Sequence, residues 1–315
     1  MRDVTRRARA NLMLLLGSAI WGFAFVAQVL GAQVGAFTFN STRFLLGAAS
    51  LLPLIAWQDR RNALDAAARR GGWRATIVPG LVCGAFLFAA SSLQQVALAD
   101  TTAGNAAFVT SLYVVFVPLV GVALGRRSAP NLWGGVALGV VGLYLLTMTG
   151  GLTRVNPGDM LCLVSTLFWT GHILSIGHFA RRLDPLRLAV TQFVANGAFA
   201  AVAALIAEPH PFQGIPAVAL PILYAGLLSV GGGYTLQVLA QRHALEAHAA
   251  LIMSLEAVFG ALGGALILGE RMTGFGYLGC GLMMAGILWS QVPPRGRPDA
   301  PAIPVPEPPS TALDA

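Results

Sequence analysis

Stretches of about 20 apolar residues recur along almost the whole of this 315-residue chain, separated by short polar or glycine-rich connectors. A helix of roughly that length crosses the hydrocarbon core of a bilayer. Inside that core no water reaches backbone N–H and C=O groups, so a crossing segment must close its own hydrogen bonds as a helix. Ten such runs fall near 11–31, 36–56, 75–97, 102–124, 131–149, 157–179, 186–207, 217–240, 246–268 and 273–290. Connectors such as Gly31 to Gly35 are so short that neighbouring helices must be antiparallel. Only 10% of the residues are charged, where a soluble domain carries about a quarter. The length therefore counts membrane crossings, not soluble domains.

The formal charge of +7 does not point to nucleic acid. Every basic residue is an arginine, and nearly all lie in connectors. With the N-terminus placed in the cytoplasm, 17 arginines fall on inner segments and only Arg154 and Arg271 on outer loops. That asymmetry sets orientation, and it returns both ends of the chain to the same side. The expected organisation is a cytoplasmic N-terminus (1–10), a first five-helix set (11–149), a periplasmic linker (150–156), a second set (157–290) and a disordered, proline-rich cytoplasmic tail (291–315). The expected location is a bacterial inner membrane, crossed many times. The arginine-rich start resembles a secretory signal, but the run to Gly31 is too long for a signal core, so it is read as an uncleaved first span. Cys83, Cys162 and Cys280 lie inside apolar runs and are read as buried free thiols. No disulfide framework is expected.

The two sets are related. Residues 92–121 match 235–264 at a constant offset of 143, with 11 identities in 30 positions. Gln94 pairs with Gln237, Ser111 with Ser254, and Phe116 with Phe259. Trp21 and Trp169 echo each other in the first and sixth spans. An odd number of crossings per copy inserts the second copy upside down. Inverted repeats of this kind place a substrate site near the midplane between the halves. The fold class expected is thus an all-α membrane protein of ten helices in two inverted repeats.

The runs from Ala103 to Tyr113 and from His248 to Phe259 carry a resemblance to a known family, as do Arg43-Phe44-Leu45-Leu46, Trp21 and Gly269-Glu270-Arg271. Over roughly residues 10–290 the chain resembles the EamA-type drug/metabolite transporter superfamily. The resemblance implies a ten-span bundle that exports amino acids or other metabolites without ATP hydrolysis.

Two ionisable groups, Arg43 and Glu256, fall well within the spans, where a charge costs about 2.5–3.5 kcal/mol on insertion scales. Glu256 reads either as a proton or substrate-cation site or as an inert hydrogen-bonded acid. Arg43 reads as its counter-ion, as a carboxylate anchor, or as half of a fixed ion pair. The mid-span Trp21 and Trp169 are cavity walls or plain packing residues. Gln94 and Gln237 form a repeat-related amide pair suited to a shared cavity, whereas Gln28, Asn40, Gln95, Gln192 and Asn196 read as interhelical hydrogen bonds. Tyr113 and Glu256 occupy matched positions, one phenol and one acid. Asn105, His172 and Tyr234 complete the candidate cavity. His172 and His248 lack metal-site spacing, and neither a metal nor another cofactor is expected. Pro118 should bend the fourth span, and Gly231, Gly232 and Gly233 should weaken the eighth; these are the candidate hinges. GxxxG spacing at Gly121/Gly125, Gly135/Gly139 and Gly260/Gly264, and the glycine-rich fifth and tenth spans, read as helix packing or a homodimer contact.

Three function classes follow. Secondary transport of a small organic molecule by alternating access, with proton coupling at Glu256, leads. A membrane-embedded enzyme lacks a GxSxG elbow, an intramembrane Asp pair, a metal triad and any lysine. A membrane subunit of a larger assembly lacks long coupling loops.

Overall fold

A computed structural model describes residues 2–61, 72–101, 103–125, 129–147, 157–267, 269 and 274–292, and at 2–5, 104, 105, 146, 147 and 291 the backbone only. The described residues contain helices and no strand. In order, the α-helices are α1 (Arg2–Leu30), α2 (Ala36–Arg61), α3 (Trp73–Ala97), α4 (Ala103–Ser111), α5 (Tyr113–Ala123), α6 (Pro130–Thr147), α7 (Pro157–Phe179), α8 (Pro185–Ala207), α9 (Ala219–Leu223), α10 (Thr235–Gln241), α11 (Glu246–Met253), α12 (Glu256–Ile267) and α13 (Gly274–Gln291). A π-helical segment, Tyr224–Tyr234, joins α9 to α10. Among the described residues, 8 helical segments are long and apolar enough to cross a membrane, and the apolar stretches Pro130–Leu145 and Gly274–Ser290 are shorter. Large side chains such as Ile206, Leu220 and Leu266 face outward, at 81%, 78% and 76% exposure. On a soluble protein such a surface would drive association; here lipid covers it.

Two of the candidate crossings, Ala106–Ala123 and Glu246–Ile267, are each interrupted, and at counterpart positions. α4 gives way to α5 at Leu112, and α11 gives way to α12 at Ser254 and Leu255. Both interruptions carry the same tightened backbone bond: Leu112 N–H to Val109 O and Leu255 N–H to Ile252 O, each 3.2 Å. Pro118 lies in α5, beyond the interruption, and its counterpart is Ala261, so proline cannot be the common cause. Side-chain competition for the backbone contributes instead. Ser254 Oγ donates to Leu251 O at 2.8 Å, and Thr166 Oγ1 on α7 donates to Val109 O at 2.9 Å.

The glycine triplet lies within the π segment, a wide helical form that often marks functional sites. A Cβ on Gly233 would lie 2.6 Å from Trp21 Nε1, and one on Gly231 would lie 2.6 Å from Ser50 Oγ. These glycines let the segment close on α1 and α2. Several glycines of α6 and α13 are used within the chain, although a Cβ on Gly274 or Gly281 would meet nothing within 4 Å. A Cβ on Gly135 would sit 2.6 Å from Gly286 O, and one on Gly142 would sit 2.5 Å from Gly279 O. α6 and α13 therefore pack backbone to backbone, and those glycines are not free for a second copy. Cys83 and Cys162 are buried free thiols, whereas Cys280 is only partly covered.

α2 and α8 pack along each other, with Phe44 and Phe193 in contact at 6.2 Å between ring centroids. Acids close both ends of this pair. Arg187 pairs with Asp59 at one end, and Asp184 caps α8 by accepting Arg187 N–H at 2.9 Å. At the other end Glu208, the residue just past the end of α8, caps α2, accepting Phe37 N–H at 2.7 Å and the Thr38 hydroxyl at 2.5 Å. A carboxylate at a helix N-terminus satisfies free N–H groups and favours the helix dipole. Glu208→Ala is expected to lower stability by about 1–3 kcal/mol, read by chemical unfolding in detergent micelles. An unchanged midpoint would show that the cap contributes nothing.

Candidate functional site

α1, α2, α3, α7, α10, the π segment and the two interrupted spans converge on one cavity. Trp21, Arg43, Gln94, Tyr113, Trp169, Tyr234, Gln237 and Glu256 all line it. Its volume is about 40 Å³. That admits a few waters, so a metabolite of ten or so heavy atoms enters only if the walls part.

Three aromatic rings form one wall. Trp21 lies 4.8 Å from Tyr234, and Trp169 stacks on Tyr234 at 6.0 Å with 10° between the ring planes. Such offset arrangements suit aromatic quadrupoles. Both indole N–H groups are satisfied: Trp169 Nε1 donates to Gln94 Oε1 at 3.0 Å, and Trp21 Nε1 to Ser229 O at 3.3 Å. Gln94 also accepts from Thr110 Oγ1 at 3.4 Å and donates to Gln28 Oε1 at 3.3 Å.

Tyr113 and Glu256, each the first residue after an interruption, meet across the cavity. The Tyr113 hydroxyl donates to Glu256 Oε1 at 2.9 Å. Arg43 and Glu256 share the cavity but make no direct ion pair among the described residues. The Glu256 carboxylate takes the phenol, while the Arg43 guanidinium lies over Phe39 and Phe44 at 5.3 and 5.1 Å, a favourable cation–π placement. Arg43 Nε has no hydrogen-bond partner.

His172 does not line the cavity. It stands behind the aromatic wall, edge-on to Trp169 and Tyr234, and its Nε2 meets Gln192 Oε1 at 2.8 Å. The Asn105 side chain lies outside the described residues. Gln28, Thr110, Ser229 and Met253 are lining residues that the sequence reading did not place there. Thr110 and Met253 were legible in principle, since each sits one helical turn before Tyr113 or Glu256 and so shares its face. Ser229 was not, because its backbone carbonyl contacts Trp21. No three His, Cys, Asp or Glu side chains gather at metal-ligating distance among the described residues. Outside the spans, partial burial and then Arg242 and Arg6 hold the His243 imidazole below its ordinary pKa.

Among the described residues, several bilayer-length helices gather around a polar and aromatic cavity, the architecture of a multi-pass membrane protein. The sequence profile of the EamA-like transporter family matches the chain twice, over residues 8–148 and 156–291, and the chain belongs to that family. An uncharacterized transporter of Archaeoglobus fulgidus is 29% identical over 90% of this chain and 86% of its own length. A second one from the same organism is 26% identical over 89% of this chain and 96% of its own length. An experimentally solved protein, described only as a crystal structure, superposes with a TM-score of 0.72 over 90% of this chain and 96% of its own. At 17% identity that likeness shows the fold alone.

Proposed function

We propose that the chain is a secondary transporter that exports a small organic metabolite, such as an amino acid, or a drug by alternating access. In this reading the two matched segments are inverted five-helix repeats in a ten-span bundle, and the membrane is a bacterial inner membrane with both termini cytoplasmic. Glu256 couples the cycle to protons, with the Tyr113 hydroxyl bonded to it. Arg43 is the anchor for an anionic group. The Tyr113–Glu256 hydrogen bond carries the proposal, because it joins counterpart residues of the two repeats at counterpart helix interruptions. A contact of that kind can break on one side and re-form as the halves rock. A homodimer through α6 and α13 would use lipid-facing side chains such as Phe275 and Leu278, since the glycines between these helices are occupied.

The test needs no substrate. In a background lacking Cys83, Cys162 and Cys280, Thr110→Cys is placed in proteoliposomes with a membrane-impermeant thiol reagent on either side. Labelling is expected from both sides. Labelling from one side only would defeat alternating access.

A further inference from the structure

The two repeats furnish the cavity with matched side chains but satisfy them unequally. On the first repeat, Gln94 Oε1 accepts from Trp169 and from Thr110. On the second, its counterpart Gln237 could expect the same two donors, and receives neither. Trp21, the echo of Trp169, gives its N–H to Ser229 O in the π segment. The counterpart of Thr110 is Met253, which has no proton to give. Gln237 is 3% exposed, lines the cavity, and leaves Oε1 without a partner. The same inequality recurs one turn further on, where the first repeat carries the phenol of Tyr113 and the second the carboxylate of Glu256. Only Oε1 of that carboxylate receives a hydrogen bond among the described residues.

A buried acceptor without a donor is costly. Gln237 Oε1 is one, and with the Glu256 carboxylate lining the same aromatic-walled cavity it defines what must complete the site. We infer that the second repeat forms a subsite for a protonated amine, held by Gln237 Oε1 and the Glu256 carboxylate, with an aromatic or apolar body against Trp21, Trp169 and Tyr234. This deepens the transport reading and rests on it. An ammonium offers several N–H donors and one positive charge, matching one neutral and one acidic acceptor. The aromatic faces of the wall favour the same charge. Arg43 sits on the first repeat without a carboxylate partner and repels a cation from its own part of the cavity. The amine is thereby assigned to one repeat, although the sequence repeat alone would allow either.

Purified full-length protein in detergent micelles tests this by thermal unfolding with phenethylamine, and with phenethyl alcohol as its uncharged counterpart at neutral pH. Phenethylamine is expected to raise the melting temperature in a saturable way, and the alcohol to leave it unchanged. Gln237→Leu should weaken the apparent amine affinity about tenfold, the scale of one hydrogen bond to a charged group. Gln237→Glu should tighten it. Equal stabilisation by both compounds, no stabilisation by either, or amine affinity indifferent to both Gln237 variants overturns the subsite. Two-sided labelling of Thr110→Cys is read without any ligand. Loss of amine recognition therefore leaves the transport reading standing, and one-sided labelling defeats transport whatever binds.

Discussion

Glu256→Gln is expected to cut proton-driven accumulation in proteoliposomes to about a tenth or less, a loss of roughly 1.4 kcal/mol in coupling. The compound to use is the one returned by a toxin and metabolite sensitivity screen of a strain lacking the protein. Glutamine keeps the shape and can still accept the Tyr113 proton at its amide oxygen, so the fold should survive. What it removes, on the proposed reading, is the group that gains and loses charge as the cavity opens. Exchange of an uncharged compound down its own gradient should persist, because in the proposed cycle the acid is needed only for coupling. Exchange of an amine should weaken as well, since Glu256 also holds the ammonium group in the proposed subsite. Transport by the variant with the pH dependence of the unaltered protein would remove Glu256 from the coupling step.

The second large effect concerns stability and separates the two amides. Gln94→Leu strips the acceptor from Trp169 Nε1 and Thr110 Oγ1 and the donor from Gln28 Oε1. Each buried polar group left unpaired costs about 1–3 kcal/mol, so the variant should lose roughly 3 kcal/mol or more and may be followed by chemical unfolding in micelles. Gln237→Leu should lose less than about 1 kcal/mol, because the Gln237 oxygen already lacks a donor and an apolar group of similar size replaces it at little cost. Equal losses in the two variants would mean that the hydrogen bonds of the first repeat do not hold the cavity together.

Much of the site was readable beforehand, for a simple reason. In a bilayer a polar side chain must face another helix or a wet space, so Trp21, Arg43, Gln94, Tyr113, Trp169, Tyr234, Gln237 and Glu256 stood out against an apolar background. Among the readings open for Arg43, the structure holds no direct pair with Glu256, and sequence does not rank such competing partners: the acid took the phenol of Tyr113, and the arginine took two aromatic faces. His172 was misplaced by one layer, since depth along a helix is legible but the direction a side chain faces is not. Of the GxxxG spacings, Gly135/Gly139 lies where α6 packs closely on α13, whereas Gly125 falls beyond the end of α5, where an added Cβ would meet nothing within 4 Å. Spacing alone therefore told neither which pair packs nor whether the partner is the same chain or a second copy.

Sequence by itself determined the membrane class, the helical state of the crossings and the duplication, because hydrocarbon forces every crossing segment to satisfy its own backbone, and identities at a fixed offset survive without any knowledge of shape. Tertiary structure alone decided which hydrogen bonds the duplicated residues make. The π segment turned the Ser229 carbonyl toward Trp21, Met253 stood where its counterpart is a threonine, and Glu208 reached across to cap α2. Those choices depend on angstrom-scale positions of backbone atoms from distant parts of the chain, which no local pattern of residues encodes.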